Sequence, residues 1–83
     1  MVKRVFTVIC EWDEEAGVWY VTESDVPGLV AEAPTREAMA ELLQSRVPEL
    51  IELNMPELAE QERPRPPVEL LIQSQQRIRL ACN

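Results

Sequence analysis

The residues of this chain best suited to chemistry are carboxylates in its first third. Asp13, Glu14 and Glu15 follow one another directly, and Glu23 and Asp25 come after the next apolar run. A hard divalent cation needs several oxygen ligands converging at fixed geometry. A residual metal-dependent nuclease or hydrolase site on Asp13, Glu14 and Asp25 is therefore the alternative hypothesis. Successive acids in a turn are usually only solvated, so we expect no metal and no cofactor.

Nucleophilic catalysis has little support in the composition. The chain has no histidine, so a cysteine nucleophile would lack its usual base, and zinc sites of the common Cys/His kind are excluded. Cys10 alternates with apolar residues and is expected to be buried in the core. Ser24 lacks the Gly-x-Ser-x-Gly surroundings of a nucleophile elbow, and two glycines cannot make a phosphate-binding loop. We therefore expect a protein without catalytic residues that is not an enzyme.

Length and charge limit the classes of protein to consider. Eighty-three residues predict a single domain spanning residues 1–83, with a thin stability margin that a second subunit could widen. Fifteen acidic residues against eight basic ones give a formal charge of −7, which disfavours direct nucleic-acid binding. The chain shows no charged leader and no apolar run approaching the length of a membrane span. These features predict a cytoplasmic protein with reduced thiols and no membrane contact.

The first third of the chain predicts three strands. Residues 3–12 carry apolar side chains on both faces, which is typical of an interior strand. The polar residues 13–17 close on a glycine and predict a hairpin loop leading to a strand over residues 18–23. Residues 29–33 are short and small, as expected for a strand at a sheet edge.

A turn motif separates the second and third strands. Asp25 can accept hydrogen bonds from nearby backbone, Pro27 fixes its own φ, and Gly28 can adopt a positive φ. These three residues are expected to form a tight bend.

A long amphipathic helix should follow, capped by Thr35 and ended near Asn54. Pro48 falls inside this helix and predicts either a kink or two helices meeting near residues 46–47. The predicted buried stripe recurs at three- and four-residue spacing and consists of Met39, Leu42, Leu43, Val47, Leu50 and Ile51.

The last third of the chain is less regular. Residues 56–62 could form another helical turn or two, and residues 63–67 are typical of a stiff extended connector. Residues 68–81 alternate and are predicted to form one long strand with a bulge, two strands being the alternative.

Three motifs together resemble the HicB-like superfamily, which includes HicB antitoxins and small stand-alone relatives of unknown function. The opening hairpin matches in residues 12–19, the Asp-x-Pro-Gly turn in residues 25–29, and the helix start in residues 35–38. The resemblance covers roughly residues 5–53. It implies an α+β fold of partial ribonuclease H-like type: a three-stranded antiparallel meander, one main helix on one face, and a further strand beside strand 1.

The resemblance also implies a class of partner. HicB antitoxins neutralise a small basic toxin that cleaves messenger RNA, and the acidic balance here would suit such a contact. The chain departs from full-length HicB antitoxins because the residues after Pro56 contain no helix pair for binding DNA. Leu29 replaces a common cysteine of the turn. The chain therefore looks closest to the stand-alone relatives.

A single helix can cover only one face of the predicted sheet. Burying the other face against a second copy would stabilise a small domain, so we expect a non-enzymatic interaction module that forms a dimer or a larger homo-oligomer. Trp12 and Trp19 are either core residues or part of the interface, since tryptophan is frequent at both. The uncovered face is expected to carry Val5 and Ile9 with either Val18 and Tyr20 or Trp19 and Val21. The candidate interface residues are Val5, Ile9, Trp12, Trp19 and Val21.

Overall fold

The computed structural model describes residues 4–55 and 68–81, and these form one mixed sheet with one long helix. The strands run in the spatial order β3-β2-β1-β4. This α+β arrangement confirms the predicted β-β-β-α-β order and the interior position of the first strand. The elements are β1 (Arg4–Asp13), β2 (Val18–Ser24), β3 (Glu32–Ala33), α1 (Arg36–Asn54) and β4 (Val68–Gln75).

The strand β1 is the centre of the sheet because it pairs on both sides. It runs antiparallel to β2 and parallel to β4. A central strand is buried on both edges, and its helix-side residues Phe6, Val8 and Cys10 are almost fully buried. The parallel pairing requires a crossover between β1 and β4, and α1 lies on that crossover path.

The hairpin between β1 and β2 turns at an aspartate and closes at a glycine. The carboxylate of Asp13 accepts hydrogen bonds from the backbone N–H groups of Glu15 (3.0 Å) and Ala16 (3.1 Å). The N–H of Gly17 donates to the carbonyl of Asp13 at 2.8 Å, with φ of +67° at the glycine. Glycine adopts this left-handed conformation at little steric cost, which explains its place in the loop.

A β-bulge in β2 reverses the strand's two faces. Val21 lies opposite Cys10 and Glu23 lies opposite Ile9, so Thr22 is an extra residue with no partner of its own. Its hydroxyl donates instead to the carbonyl of Ile9 at 3.2 Å. Strict alternation predicts Glu23 on the same face as Val21, and the extra residue turns it to the opposite face.

The helix begins at a side-chain cap, as the sequence predicts. The hydroxyl of Thr35 accepts a hydrogen bond from the backbone N–H of Ala38 at 3.0 Å. The helix continues through Pro48 to Asn54 as one element and is not divided into two. Pro48 and Gln44 are both exposed, so water can reach the carbonyl of Gln44 that loses its N–H donor.

The core lies between the helix and one face of the sheet. The predicted apolar stripe of the helix is confirmed as part of this core, and two of its residues, Leu42 and Leu50, are half-buried at the edge of the core. Cys10 is a core residue, as expected. The remaining buried residues are Phe6, Val8, Trp19, Val26, Ala31, Ala33, Met39, Leu43, Val47 and Ile51.

Two predicted strands are shorter in the structure. The third strand is limited to Glu32–Ala33, and residues 29–31 belong to the loop, although the carbonyl of Ala31 still accepts a hydrogen bond from the N–H of Val21 at 3.1 Å. The last strand ends at Gln75, which is paired with Glu11. β1 continues only two residues further, to Asp13, so residues 78–81 have no part of β1 beside them. The helical turn expected in residues 56–62 and the connector in residues 63–67 lie outside the described residues.

Replacing Thr35 by alanine is expected to lower the free energy of unfolding by about 1 kcal/mol, because the Ala38 N–H loses its acceptor. Urea unfolding followed by tryptophan fluorescence measures this change. Ser45→Ala removes a hydroxyl from an exposed position within the same helix and should not destabilise the protein. Equal losses in both variants would contradict the capping role.

Candidate protein-binding face

The sheet has one face without a covering helix within the described residues, and we call it the open face. Register and alternation place Val5, Ile9 and Tyr20 on this face, with Leu71 beside them on β4. Val5 is 48% exposed, Leu71 47% and Tyr20 37%, while Ile9 is half-buried. A contiguous group of exposed apolar side chains on a small domain is typical of a protein-binding site.

Carboxylates surround this apolar centre. On β1 and β2, Glu11 is aligned with Tyr20 and Glu23 with Ile9. On the outer strands, Glu32 is aligned with Tyr20 and Glu69 with Val5, so the acids lie on the same side of the sheet. Asp13 and Asp25 lie at the two ends of the β1–β2 pair. We call this set of six the acid rim.

The Asp25–Gly28 turn motif holds one end of the open face in place. The carboxylate of Asp25 accepts a hydrogen bond from the N–H of Thr7 at 2.9 Å, and its own N–H donates to the carbonyl of Thr7 at 3.0 Å. Gly28 has φ of +76°, and the amide of Asn54 donates to the carbonyl of Pro27 at 3.3 Å. The motif therefore ties the bend to β1 and to the end of the helix.

The structure does not bring the five predicted interface residues together on one surface. Val5 and Ile9 lie on the open face, but Trp12, Trp19 and Val21 lie on the helix side and pack in or against the core. Trp19 is only 7% exposed. The prediction that Trp12, Trp19 and Val21 lie on the uncovered face is wrong, because the helix covers the face of the sheet that carries them.

The two tryptophans form the end of the core near the start of the helix. Their ring centroids are 5.5 Å apart with planes tilted by 58°. The guanidinium carbon of Arg36 lies 4.9 Å from the ring centroid of Trp19, within range of a cation–π contact. These contacts account for both tryptophans as packing residues.

The sequence leaves Tyr20 as one of two alternatives for the open face and gives no indication of Leu71. Val18 and Tyr20 share one face of β2, and Trp19 and Val21 share the other. Nothing in the residue types shows which of the two faces the helix covers. Leu71 can be assigned to the open face only from the parallel register of β4, in which Leu71 pairs with Thr7.

The carboxylates of the alternative hypothesis do not converge. Asp13 pairs with Val18 at one end of β1, whereas Asp25 is bound to Thr7, six residues earlier on the strand. At roughly 3.3 Å per residue, this separates the two ends by about 20 Å. Within residues 4–55 and 68–81, no three Asp, Glu, Cys or His residues are grouped as a metal site would require.

Cys10 is the one cysteine of the described residues, and it has a free thiol in the core. Burial raises the pKa of this thiol, because the thiolate would lose its hydration. A protonated, buried thiol is a poor nucleophile, which agrees with the packing role of Cys10. The described part of the chain also contains no helix that is long and apolar enough to cross a membrane.

Comparison with known proteins gives two findings. The model of a domain of unknown function, DUF1902, matches residues 5–81. The crystal structure of the hypothetical protein TTHA1013, from the extremely thermophilic bacterium Thermus thermophilus, is similar with a TM-score of 0.73 and 39% sequence identity. The match covers 93% of this chain and 100% of that one. No curated protein matches the chain. Because the family model covers nearly the whole sequence, this chain belongs to the DUF1902 family of domains of unknown function.

Proposed function

We propose that this protein is a non-enzymatic protein-interaction module that self-associates and binds a small basic protein through its open face. The apolar centre of that face, within its acid rim, supports this proposal. Val5, Tyr20 and Leu71 would supply the buried contacts, and the surrounding carboxylates would select the charge of the partner.

A basic protein fits this surface better than a nucleic acid. Nucleic acids need clustered cations, whereas on the open face the six carboxylates of the acid rim outnumber the guanidinium of Arg77, which lies beside Glu11. The charge of the whole chain, −7, adds to the same field and would speed the approach of a cationic partner.

Self-association follows from the small size of the domain. A chain of this length buries roughly 60% of the surface of its unfolded state, so the stability gained at an interface is a large fraction of the total. The acid rim opposes packing of two open faces against each other, because like charges would meet across that interface. The second copy is therefore expected at a different surface.

The finer proposal is an antitoxin-type role. The Asp-x-Pro-Gly turn and the hairpin that resemble HicB antitoxins lie at the two ends of the open face. A small basic toxin that cleaves RNA has the charge that the acid rim requires. No observation in the described residues favours the metal-dependent nuclease alternative over this role.

A binding experiment with the protein encoded beside this gene tests the proposal. If the neighbouring gene encodes a small basic protein, the two are expected to co-purify and to bind with an affinity that falls steeply as salt is added. Isothermal titration at low and high ionic strength measures this. Binding that is unaffected by salt, or no binding to a basic neighbour, would contradict the proposal.

Charge reversal provides the matched control. Glu23→Lys changes the acid rim and should weaken the complex, whereas Glu49→Lys changes an exposed carboxylate on the helix and should not. Equal effects of the two substitutions would show that net charge, and not the open face, governs binding.

A further inference from the structure

Residues 76–81 form an exposed extension of β4, which we call the C-terminal arm. They follow the strand without a turn or bend and make no strand pairing within the described residues. Ile78 is 71% exposed and Leu80 75%. Two large aliphatic side chains this exposed at alternating positions indicate a strand that lacks a neighbour.

Contacts at the base of the arm show which side each residue faces. Gln76 lies beside Trp12 and Trp19, which are on the helix side of the sheet. The guanidinium of Arg77 lies 3.8 Å from the carboxylate of Glu11, which is on the open face. Continued alternation places Ile78 and Leu80 on the helix side.

The helix side of the molecule contains an apolar groove between α1 and the first half of β4. Its volume is about 370 Å³, and it lies at the sheet edge that β4 forms. An apolar cavity of roughly 150 Å³ is enough to take up benzene, so the groove has room for two aliphatic side chains. It is lined chiefly by Leu43, Val47, Pro48, Ile51, Val68 and Leu70.

We infer that the arm of each copy pairs antiparallel with β4 of a second copy and inserts its aliphatic side chains into that copy's groove. This inference rests on the self-association proposed above and specifies the surface through which the two copies associate. A two-fold axis perpendicular to the sheet would join two four-stranded sheets into one. The exchange is reciprocal, so both grooves and both strand edges are filled.

One register between the arm and β4 of the second copy brings the arm's aliphatic residues beside the groove. With Ser74 opposite Ser74 of the second copy, Ile78 lies opposite Leu70, and Leu80 lies opposite Val68. Both target residues line the groove. Because the axis is perpendicular to the sheet, the helix side of one copy continues into the helix side of the other. The arm therefore meets the groove without twisting.

The same register pairs opposite charges. Arg79 of the arm lies on the open-face side, opposite Glu69 of the second copy, and opposite charges at directly facing positions stabilise a strand pair. This complementarity favours a second copy as the partner of the arm.

Cysteine cross-linking tests the register. In a Cys82→Ser background, Glu69→Cys combined with Arg79→Cys places thiols of different copies directly opposite, within disulfide range. In each single variant the two engineered thiols, one in each copy, lie ten residues apart along the paired strands. At roughly 3.3 Å per residue this separation is about 33 Å. Under mild oxidation the double variant is expected to run as a covalent dimer on a non-reducing gel, and the single variants as monomers.

The outcomes separate the inference from the proposal on which it rests. If the unsubstituted protein sediments as a dimer but the double variant stays unlinked, or the single variants link equally well, the arm exchange is wrong and self-association stands. If the unsubstituted protein sediments as a monomer, both are wrong.

Charge substitution in the arm gives an independent readout. Ile78→Glu with Leu80→Glu would place carboxylates in the apolar groove, and we expect the dimer dissociation constant to rise about 100-fold or more. Val30→Glu with Leu53→Glu, at two exposed apolar positions that do not line the groove, is the matched control and should leave the dissociation constant within a few-fold. Far-UV circular dichroism checks that both variants are folded. An unchanged dissociation constant in a folded arm variant would overturn the inference.

Discussion

Replacing Leu43 by alanine is expected to lower the free energy of unfolding by about 2–5 kcal/mol, which is the largest stability effect we predict. Leu43 has no exposed surface and lies at the centre of the helix face that packs on the sheet. Alanine would leave a cavity within the core cluster that also holds Val8 and Met39, and rigid strand and helix backbones cannot close it. In an 83-residue domain this loss is comparable with the whole stability.

Urea unfolding monitored by the fluorescence of Trp12 and Trp19 measures the Leu43 effect. Leu53→Ala is the matched control, because Leu53 lies on the same helix and is 76% exposed. It should change the free energy of unfolding by no more than about 0.5 kcal/mol. Equal effects at the two positions would show that the helix does not bury the face that carries Leu43.

Replacing Tyr20 by alanine is expected to weaken binding of the basic partner roughly 30-fold, the largest effect we predict on partner binding. Tyr20 lies within the open face, aligned with Glu11 and with Glu32. Its side chain is partly exposed, so it can contact a partner with little loss of side-chain entropy. Titration of the partner into each variant measures the dissociation constant.

The Leu53→Ala protein also serves as the binding control, since Leu53 is more exposed than Tyr20 but lies on the helix. Its affinity for the partner should equal that of the unsubstituted protein. If Leu53→Ala weakens binding and Tyr20→Ala does not, the partner binds the helix, and the open face is not the functional surface.

The sequence predicts structure correctly where the residues that determine it are neighbours along the chain. Apolar residues on both faces of residues 3–12 correctly indicated an interior strand. The position of Thr35 before an amphipathic stripe predicts a cap, and its hydroxyl does cap the helix. The alternation of Cys10 with Phe6 and Val8 predicts a core residue, and Cys10 is buried.

The functional surface was harder to predict because it depends on relations between strands. Thr22 forms a bulge, and this single extra residue moves Glu23 to the open face, where it joins the acid rim. No residue in the strand signals such a bulge. The choice between Trp19 and Tyr20 as the exposed aromatic depends on which sheet face the helix covers, which is a property of the tertiary fold.

The length of the last strand could not be predicted from the sequence for a different reason. The alternation of residues 68–81 is continuous, and the pattern alone predicts one strand over the whole segment. In the structure β4 ends at Gln75, and β1 extends only two residues beyond the partner of Gln75, so it cannot pair with residues 78–81. An alternating pattern reports which residues could form a strand, whereas the length of the neighbouring strand determines which of them pair.

We propose that this small domain extends its sheet by associating with a second copy of the chain. Sedimentation equilibrium of the unsubstituted protein across micromolar concentrations measures this association. We expect a mass twice that of one chain, which falls toward one chain only on dilution. A folded protein with the mass of a single chain at every concentration would contradict the claim.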